Sequence, residues 1–258
     1  MLRAIEDLDG MRLSATDGPI GTVEDIYFDD QDWTLRYLVV NTGGWLSGRR
    51  VLIAPHAVVE LHWDERRIEV ALTRKRVSGS PPVDTHKPVS RQYETDLNEH
   101  YGYPHYWIGP FLWGPIVVPR GYDRTSTVEE RERRIQRRQD YDPRLRSTNE
   151  VGGYRIGALD GTIGHVEDFL YDDETWSLRY LVVDTRNWLP GRHVLVSVEW
   201  IDRVDWAQST AYVELTRDAI RASPRYSREM VLMPEDEARI YLHYGRSEGR
   251  KWARGLRS

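Results

Sequence analysis

Gly21-Thr22-Val23-Glu24-Asp25, then Trp33, then Leu35-Arg36-Tyr37-Leu38-Val39-Val40, returns later in the chain. It reappears as Gly164-His165-Val166-Glu167-Asp168, Trp176 and Leu178-Arg179-Tyr180-Leu181-Val182-Val183. The offset of 143 does not slip: Asp29-Asp30 falls on Asp172-Asp173, Trp45-Leu46 on Trp188-Leu189, and Gly48-Arg49 on Gly191-Arg192. Roughly 20 of about 33 positions from Gly21 to Ile53 are identical, which marks a duplicated domain. The flanks keep the register, with Leu72-Thr73-Arg74 over Leu215-Thr216-Arg217 and His100-Tyr101-Gly102 over His243-Tyr244-Gly245. Each unit is therefore a core of about eighty residues with a trailing segment, inside single-domain size.

Within a unit the punctuation is that of short strands. Met11 to Ala15 leads into the turn cluster Asp17-Gly18-Pro19, and Ile20 to Phe28 follows as a β-rich run. Asp29-Asp30-Gln31-Asp32 supplies a turn before Thr34 to Asn41, and Val51 to Ala54, Val58 to Trp63 and Arg67 to Leu72 complete about six strands. Six short strands in so few residues remove their edges by closing up, so the expected fold is all-β dominated: two tandem small β-barrels with short helical extensions. A helix is expected from Ser90 with Tyr93, Leu97 and Tyr101 at four-residue spacing, ending at Gly102. Its counterpart starts at Pro234, carries Glu235, Asp236 and Glu237 in its first turn, and ends at Gly245.

Length and composition narrow the class. The 258 residues suffice for a sizeable core, and a formal charge of −5 disfavours wrapping around nucleic acid. With no cysteine, disulfides, thiolate catalysis and cysteine-bearing zinc sites are excluded, leaving histidine and carboxylates as metal ligands. No run of about twenty apolar residues suggests a transmembrane segment. The opening Met1-Leu2-Arg3-Ala4-Ile5-Glu6-Asp7 has acids where a signal peptide would have none, so a cytoplasmic protein is expected. Ten Trp and fifteen Tyr stand against three Phe, favouring aromatics that carry a polar handle.

Gly21 to Asp29, Trp33 to Thr42 and Trp45 to Ile53 together resemble the PRC-barrel pattern, named for the cytoplasmic domain of the photosynthetic reaction centre H subunit. Both repeats carry it. The resemblance implies an interaction module with no catalytic residues to carry over and no electron-carrying cofactor; relatives that stand alone suggest a role in stress physiology. The H subunit enters through a membrane-spanning helix, and nothing in Met1 to Asp9 could serve as one.

The expected surface for a partner is Trp45 and Leu46, Trp188 and Leu189 in their glycine-bearing loops, with Trp107 and Trp113 in the segment Tyr103 to Tyr122. Four prolines forbid a continuous helix in that segment, which is expected to lie extended, packed on a barrel or against a partner or membrane surface. Asp29 and Asp30 are expected to shape a turn, while Glu24 or Asp25 pairs with Arg36, and Glu167 or Asp168 with Arg179. No catalytic set, metal site or cofactor is assigned. Thr127 to Gln139 reads as a short charged helix with Thr127 and Glu130 as a capping box.

The expected organisation is barrel one over 1–82, a helix and aromatic linker over 83–147, barrel two over 148–225 and a helical extension over 226–258. The duplication suggests an intramolecular pseudo-dimer, with a homodimer of the whole chain as a further expectation. The expected function is a non-catalytic protein-interaction or scaffold module with an unidentified protein partner. Carbohydrate binding through Trp and Tyr and association with RNA or ribosomes are the alternatives.

Overall fold

The computed structural model describes residues 1–83, 89–119, 145–185 and 192–246. The chain divides into two compact units. The first is Leu8–Ser147 with Glu174–Trp176; the second is Met1–Asp7 and Thr148–Asp173 with the chain from Ser177 onward. Strands dominate both. No described helix is long and apolar enough to cross a membrane.

The chain opens with strand β1 (Leu2–Ala4), a part of the second unit. The first unit is built from β2 (Arg12–Ala15), β3 (Gly18–Asp29), β4 (Thr34–Asn41), β5 (Arg50–Ile53), β6 (Val58–His62) and β7 (Arg67–Val70). Hydrogen bonding links them in the order β5-β4-β3-β2-β7-β6, antiparallel except for the parallel β2–β7 pair. The end strands β5 and β6 are consecutive in the chain, joined through the 3-10 turn Pro55–Ala57. A bulge at Glu24 bends the long β3, and a second at Arg36 lies in β4; the first half of β3 serves β2 while most of its length pairs with β4. Seven of the eight residues of β4 are buried, which requires cover on both faces of that strand.

The turn before β4 forms as its acids suggest. Asp29 Oδ1 accepts from the amides of Gln31 at 2.9 Å and Asp32 at 3.2 Å, and Trp33, at φ 50°, closes the turn and stacks on Phe28. Trp176 repeats the left-handed conformation at φ 59°. Helix α1 (Arg74–Ser78) follows the last strand, and α2 (Arg91–Tyr101) starts at Ser90, whose Oγ accepts from Tyr93 N, and stops at Gly102, φ 71°. Both ends agree with the expected ones.

The last strand of the first unit comes from far along the chain: β8 (Leu145–Ser147) pairs antiparallel with Tyr27–Asp29 of β3. The second unit begins with α3 (Thr148–Val151) and continues through β9 (Arg155–Ala158), β10 (Gly161–Asp172), β11 (Ser177–Asp184), β12 (His193–Ser197), β13 (Ile201–Asp205) and β14 (Thr210–Val213). Helix α4 (Arg217–Ala222), β15 (Arg225–Tyr226) and α5 (Pro234–His243) complete it. The order β12-β11-β10-β9-β14-β13, with β9–β14 parallel, reproduces that of the first unit.

Here β1 pairs with Leu170–Asp172 of β10, in the register that β8 has on β3. Leu2-Arg3-Ala4 and Leu145-Arg146-Ser147 stand 143 residues apart, and the clasping ion pairs correspond too, Arg3 with Asp173 at 3.5 Å and Arg146 with Asp30 at 2.9 Å. Each unit thus contains a three-residue strand that lies, by sequence, beside the other repeat. This departs from the expected boundary: residues 1–82 do not make one unit, because Met1–Asp7 group with the second. The expected helix Thr127 to Gln139 lies outside the described residues.

Gly21 marks a position where the fold tolerates no side chain, since a Cβ there would collide with the carbonyl of Asn41 on the paired strand. Gly164 meets the carbonyl of Asp184 in the same way. Gly21→Ala is expected to lower unfolding stability by about 2 kcal/mol, whereas Gly44→Ala, where a Cβ meets nothing within 4 Å, should stay within about 0.5 kcal/mol. Urea midpoints of the two variants test the contrast.

Candidate functional site

The outer cover of β4 is a polar cluster that joins the strand, α2 and the aromatic segment after it. On α2, Glu94, Leu97, Asn98 and Tyr101 are buried at helical spacing. Gly102 then turns the chain into Tyr103–Pro119. Tyr106 from this segment donates its hydroxyl to Glu94 Oε2 at 2.7 Å and accepts from Arg91 Nη1 at 2.8 Å. Tyr37 of β4 donates to the same carboxylate oxygen at 3.3 Å, and Arg91 lies 3.1 Å from the other.

Beside this carboxylate sits a fully buried guanidinium. Arg36 donates to the Leu112 carbonyl at 2.6 Å, lies 3.5 Å from Asp32, and is covered by the rings of Tyr106 at 3.8 Å and Trp113 at 4.9 Å. Its charge is thus met by one carbonyl, one half-exposed carboxylate and two ring faces. His56 stacks on Tyr103 and meets Trp113 edge-on; burial, assisted by Arg36, lowers its pKa to about 3, so the imidazole is neutral.

The Arg36 and Arg179 pairs differ from those expected. Asp25 stands opposite Val39, whereas Arg36 is the unopposed bulge residue between Leu35 and Tyr37, three residues and about 10 Å away along β4. Glu24 instead accepts from Asn41 at 2.5 Å and Arg50 at 2.7 Å, while Asp25 accepts from Ser147 Oγ at 2.6 Å and Ile26 N at 2.8 Å. Correspondingly, Arg179 reaches Glu237, Glu167 meets His193, and Asp168 accepts from the amides of Phe169 and Glu6. Burial pushes the Asp168 carboxyl up to about 7.

The aromatic surface is also rearranged. Trp45 turns inward, its Nε1 donating to the Ile20 carbonyl and its ring under the Arg74 guanidinium at 4.4 Å, with Leu46 half-buried beside it. Trp113 is buried and donates to the Thr175 carbonyl at 2.9 Å; Trp107 is half-covered, with the Arg91 guanidinium 4.1 Å from its ring. Trp188 and Leu189 lie outside the described residues. Tyr103–Pro119 is folded into tight turns instead of extended, because Gly109 at φ 139° and Gly114 at φ 76° allow close returns bridged by Phe111 with Gly114 and Trp113 with Ile116.

The second unit holds the same polar set. Tyr180 donates to Glu237 at 2.8 Å and Arg179 lies 3.4 Å from it, at positions 143 residues beyond Tyr37, Glu94 and Arg36. The side chains of Glu237 and Arg179 are 22% and 21% exposed, against 3% for Glu94 and 0% for Arg36. Among the sequence expectations Glu237 is an acid in the first turn of its helix and Glu94 has no role; their shared place at the 143-residue offset is the signal that links them.

A PRC-barrel domain is found at residues 2–76. The match begins at Leu2 and so takes in β1, which pairs with β10. Over 90 residues the chain is 38% identical to a protein of Deinococcus radiodurans described as an uncharacterized protein. That alignment covers 32% of this chain and 32% of the relative, so the two share about a third of their lengths.

Two outcomes test the cluster. Burial pushes the Glu94 carboxyl from its ordinary 4.5 up to about 7, against the lowering influence of Arg91 and Tyr106. The native state therefore holds this proton more tightly than the unfolded chain, and the associated stabilisation, on the order of 3 kcal/mol, is full below about 4.5 and lost as pH rises through about 7. Urea titrations from pH 5 to 8 should show wild-type stability falling with pH and a shallower slope in Glu94→Gln, where Asp168 still lowers stability as pH rises while His56, neutral in the native state, raises it up to about pH 6.5. Arg36→Met should release Tyr103–Pro119 and speed proteolysis within it, and Arg36→Lys should not restore protection, because an ammonium cannot spread between two ring faces and the Leu112 carbonyl.

Proposed function

We propose that the chain is a non-catalytic protein-interaction module of PRC-barrel type in which residues 148–225 form a second copy of the domain. Its Arg179–Tyr180–Glu237 face receives an aromatic, proline-bearing segment of a protein partner. One observation carries this reading: the equivalent face of the first unit is sealed by such a segment, Tyr103–Pro119, whereas in the second copy Arg179 and Glu237 are each about one-fifth exposed while Tyr180 is buried. A Tyr hydroxyl for the carboxylate and a ring for the guanidinium are the chemistry the first unit displays. A scaffold role in the cytoplasm fits this reading. The carbohydrate alternative loses support, since Trp113, Trp176 and Trp200 are buried and Trp45 turns inward.

The same proposal treats the two repeats as an intramolecular stand-in for a homodimer. The matched placement of β1 and β8 supports it, because a strand-exchanged pair of one-repeat chains would have these pairings. A fluorescent peptide of residues 103–119, titrated with the full chain and followed by anisotropy, should bind saturably. Binding should weaken about tenfold when the peptide carries Phe in place of Tyr106, the loss of one hydrogen bond to a carboxylate. No saturation up to about 1 mM, or equal binding by Glu237→Ala, would sink the idea.

A further inference from the structure

Three adjacent strands of the second unit place His165, Asp184 and His193 in one row. His165 on β10 is the cross-strand partner of Asp184 on β11, and Asp184 is the partner of His193 on β12. Glu167 is the extra residue of the bulge between Val166 and Asp168 of β10, and its carboxylate lies against His193 Nε2. One ligand atom from each of Glu167, Asp184 and His193 falls within 4.8 Å of the others, and His165 Nε2 is 3.8 Å from Asp184 Oδ2.

Two features distinguish this group from a surface ion pair. The side chain of Asp184 is fully buried, and His193 Nε2 is itself enclosed, yet the nitrogen makes no hydrogen bond of acceptable geometry with the carboxylate it touches. The nitrogen and the oxygen therefore face a shared space instead of lying along a common N–H axis.

The first repeat shows what the same positions hold when the cation is built in. There Thr22, Glu24, Asn41 and Arg50 stand in place of His165, Glu167, Asp184 and His193. Arg50 Nε is 2.7 Å from Glu24, and the Asn41 amide donates to the other oxygen at 2.5 Å. In the second repeat the carboxylate is kept, the guanidinium becomes an imidazole, the amide becomes a second carboxylate, and the threonine becomes a second imidazole. Three of the departures between two otherwise similar hairpins thus converge on one point, and together they exchange a positive charge and a donor for ligands.

We propose that His165, Glu167, Asp184 and His193 bind a divalent first-row transition ion of the zinc class. Two imidazole nitrogens and two carboxylate oxygens suit such an ion, and their mixed hardness favours it over calcium or magnesium. Glu167 and His165 are each 39% exposed on the side chain, so the ion would enter from solvent and could keep a water or accept a ligand from a partner. Bound at strand ends beside the 185–192 connection, it ties β10, β11 and β12 together.

Zinc chloride alone, titrated calorimetrically into the full chain, tests this, with the double variant Asp184→Asn, His193→Arg as its counterpart. That variant restores the composition of the first repeat and is expected to fold; His165→Thr, at a partly exposed position, serves as a second variant should it not. Wild type should bind one more equivalent than either variant, or bind at least tenfold more tightly. Cobalt substitution should give visible d–d bands in wild type only. Equal zinc binding by wild type and both variants would place any ion elsewhere, for instance at Glu60, His62 and Glu69 of the first unit, and overturn the proposal. Wild type whose melting point shows no response to zinc up to about 1 mM would reduce the group to a polar side-chain cluster, and overturn it equally.

Discussion

A long, bulged strand at the centre of a small sheet has more edge than its neighbours in sequence can cover, and in both units this constraint governs the rest. β3 gives its first half to β2 and most of its length to β4, which leaves Tyr27–Asp29 in need of a further partner on the side β2 no longer reaches. An unpaired edge exposes backbone donors and acceptors and invites wrong pairings. Leu145–Ser147 supplies the partner, and Leu2–Ala4 does so for β10. The compact units consequently do not coincide with the two stretches of sequence that repeat.

With that edge closed, the opposite face of β4 decides how the two repeats differ. A strand buried on both sides must find partners for its polar side chains, and Arg36 and Tyr37 find them in α2 and in the turns of Tyr103–Pro119. A guanidinium held by one carbonyl, one carboxylate and two rings is stable only while all are in place, so the segment and the strand stabilise one another. The second repeat keeps Arg179, Tyr180 and Glu237 but leaves Arg179 and Glu237 partly open to solvent, with Tyr180 buried. On the other side of the hairpin the asymmetry is chemical: an Arg50–Glu24 pair in one repeat, a histidine and carboxylate group in the other.

Much of the fold was legible along the chain because its signals are local. Asp29 forms the turn its side chain favours, Ser90 and Gly102 end α2 where capping chemistry requires, and the β-rich runs become strands. The three-residue strands were not legible, since Leu2-Arg3-Ala4 is too short to display a period. The pairing of Glu24 or Asp25 with Arg36 failed because neighbouring strands meet in a register shifted by bulges, and a shift of one residue changes the face a side chain takes. The set of the Trp45 side chain was not legible for a related reason: how far an indole in a glycine-rich turn reaches into solvent depends on an available carbonyl, here that of Ile20. The aromatic segment was expected to be extended because its prolines forbid a helix, but two glycines at positive φ let it fold on itself.

The amino-acid sequence by itself determined the internal repeat at an offset of 143, the number and order of most strands, the helix ends and the resemblance to a PRC barrel, because turn chemistry, caps and periodicity involve residues close together in the chain. It also held, at the 143-residue offset, the equivalence of Glu94 with Glu237 and the replacement of Arg50 by His193. Only the tertiary structure decided that Leu2–Ala4 and Leu145–Ser147 complete the edges of β10 and β3, that Arg36 lies between Tyr106 and Trp113, and that Glu94 is buried deeply enough to retain its proton near neutrality. These depend on burial and on pairing between residues up to about 170 positions apart, where the interaction strength is set by exclusion of water and no local pattern reports it.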